Sequence, residues 1–190
     1  MPAGQSKLGI WNIALIELGE DPLTNITTAN TKQILCAARY DDARQAVIRD
    51  HPWNSTKKYA SLPASLTPPA FTWENAFALP PDFLRMNRIE DDLDADWEVV
   101  GNQLYTDQTA PLNIVYHWDL QDVTQFDALM VRCIGYDLAL EIGPSLVRDD
   151  ARMQRIALKL KDKAETAKLV DSQEDSPREW DDDILLRSRR

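Results

Sequence analysis

Proline placement limits this chain more than any other feature. Five of its 11 prolines, Pro63, Pro68, Pro69, Pro80 and Pro81, fall between residues 63 and 81. A proline inside a helix removes a hydrogen bond and clashes with the preceding turn, so no regular helix crosses this region. Leu62, Phe71, Trp73 and Phe77 lie among these prolines, which predicts extended segments and turns from Trp53 to Leu120. Further along, Trp97-Glu98-Val99-Val100 and Gln103-Leu104-Tyr105-Thr106 flank Gly101-Asn102. That is a two-residue hairpin with glycine where φ must be positive. Leu112, Ile114, Tyr116 and Trp118 alternate with Asn113, Val115, His117 and Asp119, the period of a half-buried strand with His117 on its polar face.

Helical periodicity occupies both flanks. Leu8, Trp11, Leu15 and Leu18 recur at steps of three and four, so a helix is expected over 6–18, with Ser6 as N-cap and Gly19 ending it. A second helix is expected over 31–50 on Leu35, Ala38, Ala43, Val47 and Ile48, stopped by His51-Pro52. Phe126, Leu129, Met130, Cys133, Ile134, Leu138 and Ile142 predict a third over 125–142, closed at Gly143-Pro144. The fourth is expected over 145–170. Met153, Ile156, Leu160, Ala164 and Ala167 form its stripe, flanked by Arg152, Arg155, Lys159, Lys163 and Lys168.

Four amphipathic helices cannot bury their stripes separately, so they are expected to pack together. The predicted fold class is α+β, mainly α: a four-helix bundle with a small β-rich insertion at 54–120 between the second and third helices. Residues 1–170 form one domain in this reading. Residues 171–190 lose periodicity and form an extended C-terminal tail, flexible until docked.

Charge narrows the functional classes. The formal net charge is -10 and the pI about 4.6, and all of the excess acid lies in residues 1–144. Such a chain is poorly suited to clamping duplex phosphate or an anionic bilayer. The opening residues carry no secretory leader pattern, and no apolar run approaches membrane-spanning length. Cys36 and Cys133 both fall in helical patterns and read as small core residues.

Motifs for catalysis are sparse. The six glycines make no phosphate loop, and two separated cysteines with two separated histidines do not make a zinc site. His51, at a helix end before Pro52-Trp53, reads as a structural residue capping carbonyls. Asp92, Asp94 and Asp96 imitate the opening of a calcium loop. Trp97 replaces the turn glycine and Gln103 the bidentate glutamate, so Asp91, Asp92, Asp94 and Asp96 read as a solvated acidic loop. No metal and no cofactor are expected. In the tail, Trp180 and Ile184, Leu185 and Leu186 are too apolar for an aperiodic charged segment, and they suggest an anchor on this domain or in a partner's groove.

A set of short elements then recurs in a familiar order. Asn12-Ile13-Ala14-Leu15 and Leu18-Gly19-Glu20 open the chain. Cys36, Tyr40-Asp41 and Ala43-Arg44 lead into His51-Pro52-Trp53-Asn54. Ala60-Ser61-Leu62, Phe71 and Trp73, Ala76-Phe77 and Leu79-Pro80-Pro81-Asp82-Phe83-Leu84-Arg85 follow. Over residues 8–170 this string resembles the tail tubular protein A family of short-tailed bacteriophages, the head-to-tail adaptor or gatekeeper. The chain departs from the pattern at Asn54-Ser55-Thr56.

The resemblance implies a non-catalytic virion protein of the tail neck, made in the host cytoplasm. It implies a ring, a dodecamer by analogy, between the portal protein and a tail nozzle of the tail tubular protein B kind, with genomic DNA passing through without tight binding. It implies no catalytic residues. Trp53 and Trp73 are expected to fill the junction between bundle and β segment, and Pro80-Pro81 to set the path into Phe83. The acidic stretch Asp82–Asp107, including Asp91, Asp92, Asp94 and Asp96, is expected to face the channel or its rim. The margins of the fourth helix are expected at the subunit interface, and Trp180, Ile184, Leu185 and Leu186 on the portal. Two alternatives from other classes are a small cell-wall hydrolase using a carboxyl pair such as Asp82 and Glu90, and a monomeric acidic binding module.

Overall fold

The computed structural model describes residues 6–27 and 30–174. Helix α1 spans Lys7–Glu17, with the Ser6 hydroxyl accepting from the Gly9 amide at 3.0 Å and Gly19 at φ +76° beyond its end. Helix α2 spans Thr31–Asp50, capped by the Asn30 side chain. A single helical turn at Asn54–Thr56 leads into the strands β1 (Lys57–Leu62), β2 (Asn75–Ala78), β3 (Phe83–Ile89), β4 (Trp97–Val100), β5 (Gln103–Thr106) and β6 (Leu112–Trp118). Helices α3 (Ala128–Leu146) and α4 (Asp150–Glu174) follow.

The expected four-helix bundle with a small insertion is not what forms. The strands build two three-stranded antiparallel sheets, ordered β1-β6-β3 and β2-β5-β4, and these enclose a hydrophobic core of their own. Leu62, Met86, Leu112 and Ile114 come from the first sheet, Phe77 and Leu104 from the second. The prolines separate the strands rather than weaken them, and apolar side chains of both sheets meet between them. It is a second half of the fold, not a cap on the first.

The helices form the other core. Helix α3 is its axis: α1, α2 and α4 each pack on it, and it buries residues on all sides. Helix α3 also runs past its expected stop. Pro144 lies in its last turn, and the Val147 amide closes that turn on the Gly143 carbonyl at 2.8 Å. A proline so near a helix end forfeits little of the hydrogen-bond ladder. Gly143 is a packing residue instead of a cap, since a Cβ there would lie 3.1 Å from Leu18 Cδ2 and closer still to Met153. Helix α4 accordingly begins later than expected, with the Asp149 carboxylate accepting from the Arg152 amide at 2.9 Å.

Strand β6 differs from its expected half-buried form. It is the middle strand, and both of its faces are covered; Val115 and His117 are fully buried. The alternation was read correctly as strand, but period alone does not tell whether the second face meets water. The two cores join at the end of α2. Arg85 donates to the carbonyls of Arg49 and Asp50, Arg49 donates to the carbonyl of Leu84, and Leu84 and Trp118 pack on the helical core. Neither tryptophan expected at this junction fills it. Trp53 is buried in the helical core, with its indole donating to the Val47 carbonyl at 3.0 Å. Trp73 sits beside the second sheet and donates to Glu98 at 3.1 Å. The Phe83 amide bonds the Pro80 carbonyl at 3.1 Å, the turn that starts β3.

Candidate partner-binding surfaces

The β3–β4 connection carries Asp91, Asp92, Asp94 and Asp96, all exposed, around Leu93, which keeps 55% of its surface in water. Its shape is set within the chain. Asn113 donates to Asp91, Gln108 donates to Asp92 at 2.9 Å, the Asp94 amide donates to Asp92 at 3.1 Å, and Thr106 donates to the Asp96 carbonyl. The carboxylates of Asp91 and Asp92 are thus engaged locally, and all four residues are open to solvent. Among the described residues no group of three or more histidine, cysteine, aspartate or glutamate side chains is placed to hold a metal ion. The tip is an acidic, pre-shaped protrusion.

The carboxyl pair considered for hydrolysis has ordinary ionic partners. Asp82 takes a hydrogen bond from Lys58 and another from Tyr116 at 3.0 Å, and Glu90 pairs with Arg88 at 2.9 Å. Burial acts to raise the Asp82 carboxyl, but the bonds from Lys58 and Tyr116 outweigh it and hold it below the usual carboxylate value. A glycosidase acid needs the opposite shift.

Basic side chains gather at one groove of the helical layer. The groove, of about 310 Å³, runs between the end of α1 and α4 and is lined by Ile16, Glu17, Gly19, Arg152, Arg155, Ile156 and Lys159. Arg152 is held by the Leu18 carbonyl and Asp149, and Lys159 pairs with Glu17 at 2.7 Å. Helix α4 turns Ile156 and Ala167 into the core, as its stripe predicts, and leaves Leu158 and Leu169 outward.

Two features escape sequence inspection. Pro69, Phe71, Trp73, Val100 and Tyr105 line an open groove of about 320 Å³ on the outer side of the second sheet, with Phe71 81% exposed and Thr72 held at φ +76°. The signal present was Phe71-Thr72-Trp73 beside Pro68-Pro69. The other is a cavity of about 130 Å³ between α2, α3 and α4, lined by Val47, Trp53, Cys133, Asp137 and Leu160. Burial, followed by the nearby Glu141 and Asp50, pushes the Asp137 carboxyl up to about 6. Cys133 and Cys36 are free and buried, with thiols that burial raises to about 12 and about 11.

His117 bridges Asn87, at 3.0 Å from Nε2, and Thr56, at 2.9 Å from Nδ1. Arg88 donates to Asn87 Oδ1, which turns the amide nitrogen toward the ring, so Nε2 accepts and Nδ1 donates. Thr56 passes the chain on to the Trp53 carbonyl at 3.0 Å. His51 is the C-cap residue of α2; its backbone amide, not its ring, bonds the Val47 carbonyl at 3.4 Å, and the ring lies edge-on to Trp53 at 4.6 Å. Trp180, Ile184, Leu185 and Leu186 lie outside the described residues. Among the described residues no helix is long and apolar enough to cross a membrane. Comparison of the chain with protein-family models and with curated proteins yields no match.

Proposed function

We propose that this chain is a non-catalytic head-to-tail adaptor of a short-tailed phage, one subunit of a ring set between portal and tail nozzle. The observation that carries the reading is the separation of charge across the subunit. Residues 82–107 hold eight acidic side chains against Arg85 and Arg88, and none of the eight is buried. The groove on the helical layer carries Arg152, Arg155 and Lys159 against Glu17. Unlike surfaces on one subunit favour head-to-tail association, the kind that closes into rings. An acidic channel rim also suits the passage of duplex DNA. A basic lining would bind phosphate through counterion release and hold the strand, whereas an acidic one does not. The residues quoted from 8–170 supply the family part of the reading. In it, Trp180 and Ile184–Leu186 strap the ring to the portal.

The test is to incubate the full chain with portal rings of short-tailed phages and view the product by negative-stain microscopy. A collar of added density on one end of the portal is expected. Bare portals at every ratio tried would overturn the reading. Truncation after Glu174, the last residue of α4, should leave the melting curve unchanged while weakening portal binding; equal binding removes the strap.

A further inference from the structure

We infer that the groove between α1 and α4 receives the Asp91–Asp96 tip of a second copy of this chain. The inference rests on the ring reading and names the two surfaces that close it. The groove has an apolar side: Ile16 keeps 60% of its surface exposed, Ile156 lies buried beneath, and the Arg152 guanidinium lies over Gly19. Its rim holds Arg152, Arg155 and Lys159 with Glu17; Lys159 pairs with Glu17 and Arg152 with Asp149, while Arg155 is exposed and forms no ion pair among the described residues. The tip has the converse pattern, with an exposed leucine at its centre and carboxylates around it. Leu93 packed on Ile16 removes apolar surface of both copies from water. Asp94 then faces Arg155 across the rim.

Two arguments select a second copy as the occupant. The charges are complementary within one sequence: the tip carries four carboxylates, and the groove carries Arg155, which has no ion pair among the described residues, beside Arg152 and Lys159, which are shared with Asp149 and Glu17. The tip is also already ordered by Asn113, Gln108 and Thr106, so docking it immobilises little that is not fixed beforehand. Both surfaces stand exposed on the same subunit, the tip on the β half and the groove on the helical half, so the contact is made between copies. Each copy then offers a free groove to the next, which is the requirement for a closed ring. The acidic tips come to lie at the subunit boundaries along the rim, and Glu98 and Asp107, both exposed, lie outside the contact.

The experiment pairs Leu93→Cys with Ile16→Cys in the full chain, where both native thiols are buried. Oxidation near millimolar concentration at low salt should give a ladder of covalent multimers, whereas each single variant stops at dimer. Raised salt should suppress the ladder. Arg155→Glu should reduce its yield about tenfold, and Asp94→Arg added to Arg155→Glu should restore it. Sedimentation of these two charge variants without the cysteines gives the same comparison if the thiol pair misfolds. Absence of a ladder both in solution and in portal-bound rings overturns the contact while leaving the adaptor reading in place. A ladder formed by a chain that never binds portals supports the contact and counts against the adaptor reading. Duplex DNA binding that Arg155→Glu abolishes, with no ladder, overturns the contact in favour of a phosphate site.

Discussion

His117 and Asp137 couple the stability of the fold to pH in opposite directions. Burial, with Arg85 and Lys57 adding to it, drops the His117 imidazole from an ordinary value near 6.5 to about 4. Between those values the unfolded chain holds the extra proton, so stability falls as pH is lowered through this window. Asp137 is raised from 3.8 to about 6, so the folded chain holds the extra proton there and stability falls as pH rises. Each shift corresponds to on the order of 3 kcal/mol, and the two largely cancel in the native chain. Single variants should therefore unmask them. His117→Gln, which can still accept from Asn87 and donate to Thr56, should make the fold lose stability from pH 4 to 6.5. Asp137→Asn should make it lose stability from pH 6.5 down to 4. Urea titrations across that range read both slopes, and unchanged slopes in the variants would show that neither group is as buried as its surroundings indicate.

Helix α3 works as an axis because it is narrow where its neighbours are wide. A Cβ on Gly135 would lie 2.6 Å from Ile13 Cγ2 and 2.9 Å from its Cβ, so α1 lies directly on the α3 backbone. Gly135→Ala gains about 1 kcal/mol of helix propensity. The overpacking it forces costs about 1–3 kcal/mol. A net loss is expected in a denaturant titration, and pairing it with Ile13→Val should recover part of it. Stabilisation by Gly135→Ala alone would mean that α1 can step away from α3. The same helix explains where the sequence reading slipped. Gly143-Pro144 has the composition of a helix stop, but the glycine answers to Met153 and Leu18 from other elements. Its pattern was local and its cause was not. By contrast, Thr31–Asp50, the Gly101-Asn102 hairpin and β6 formed where periodicity and turn chemistry placed them, because capping, φ preference and side-chain alternation act over a few residues.

At the scale of the whole molecule, the helical and β halves are pinned by Arg44, which is 3% exposed. Its guanidinium, on α2, donates twice to Asp119, just after β6, at 3.2 and 2.8 Å, and also reaches Asp41. Asp119→Ala leaves that buried charge with only the exposed Asp41 and should cost about 3 kcal/mol in thermal or chemical unfolding. A loss below about 0.5 kcal/mol, the level of an exposed pair, would mean that the halves hold together without this pin. The acidic residues of the tip were legible as an exposed loop, since four aspartates around one leucine cannot be buried together. The groove that complements them was not, because Ile16 and Arg155 are distant in sequence and meet only when α4 lies against α1. The sequence by itself determined where helix and strand occur, since those choices follow from periodicity, capping and proline. Only the tertiary structure decided that the strands enclose a core of their own and that His117 is buried, because burial depends on which distant surfaces meet, and no local pattern records that.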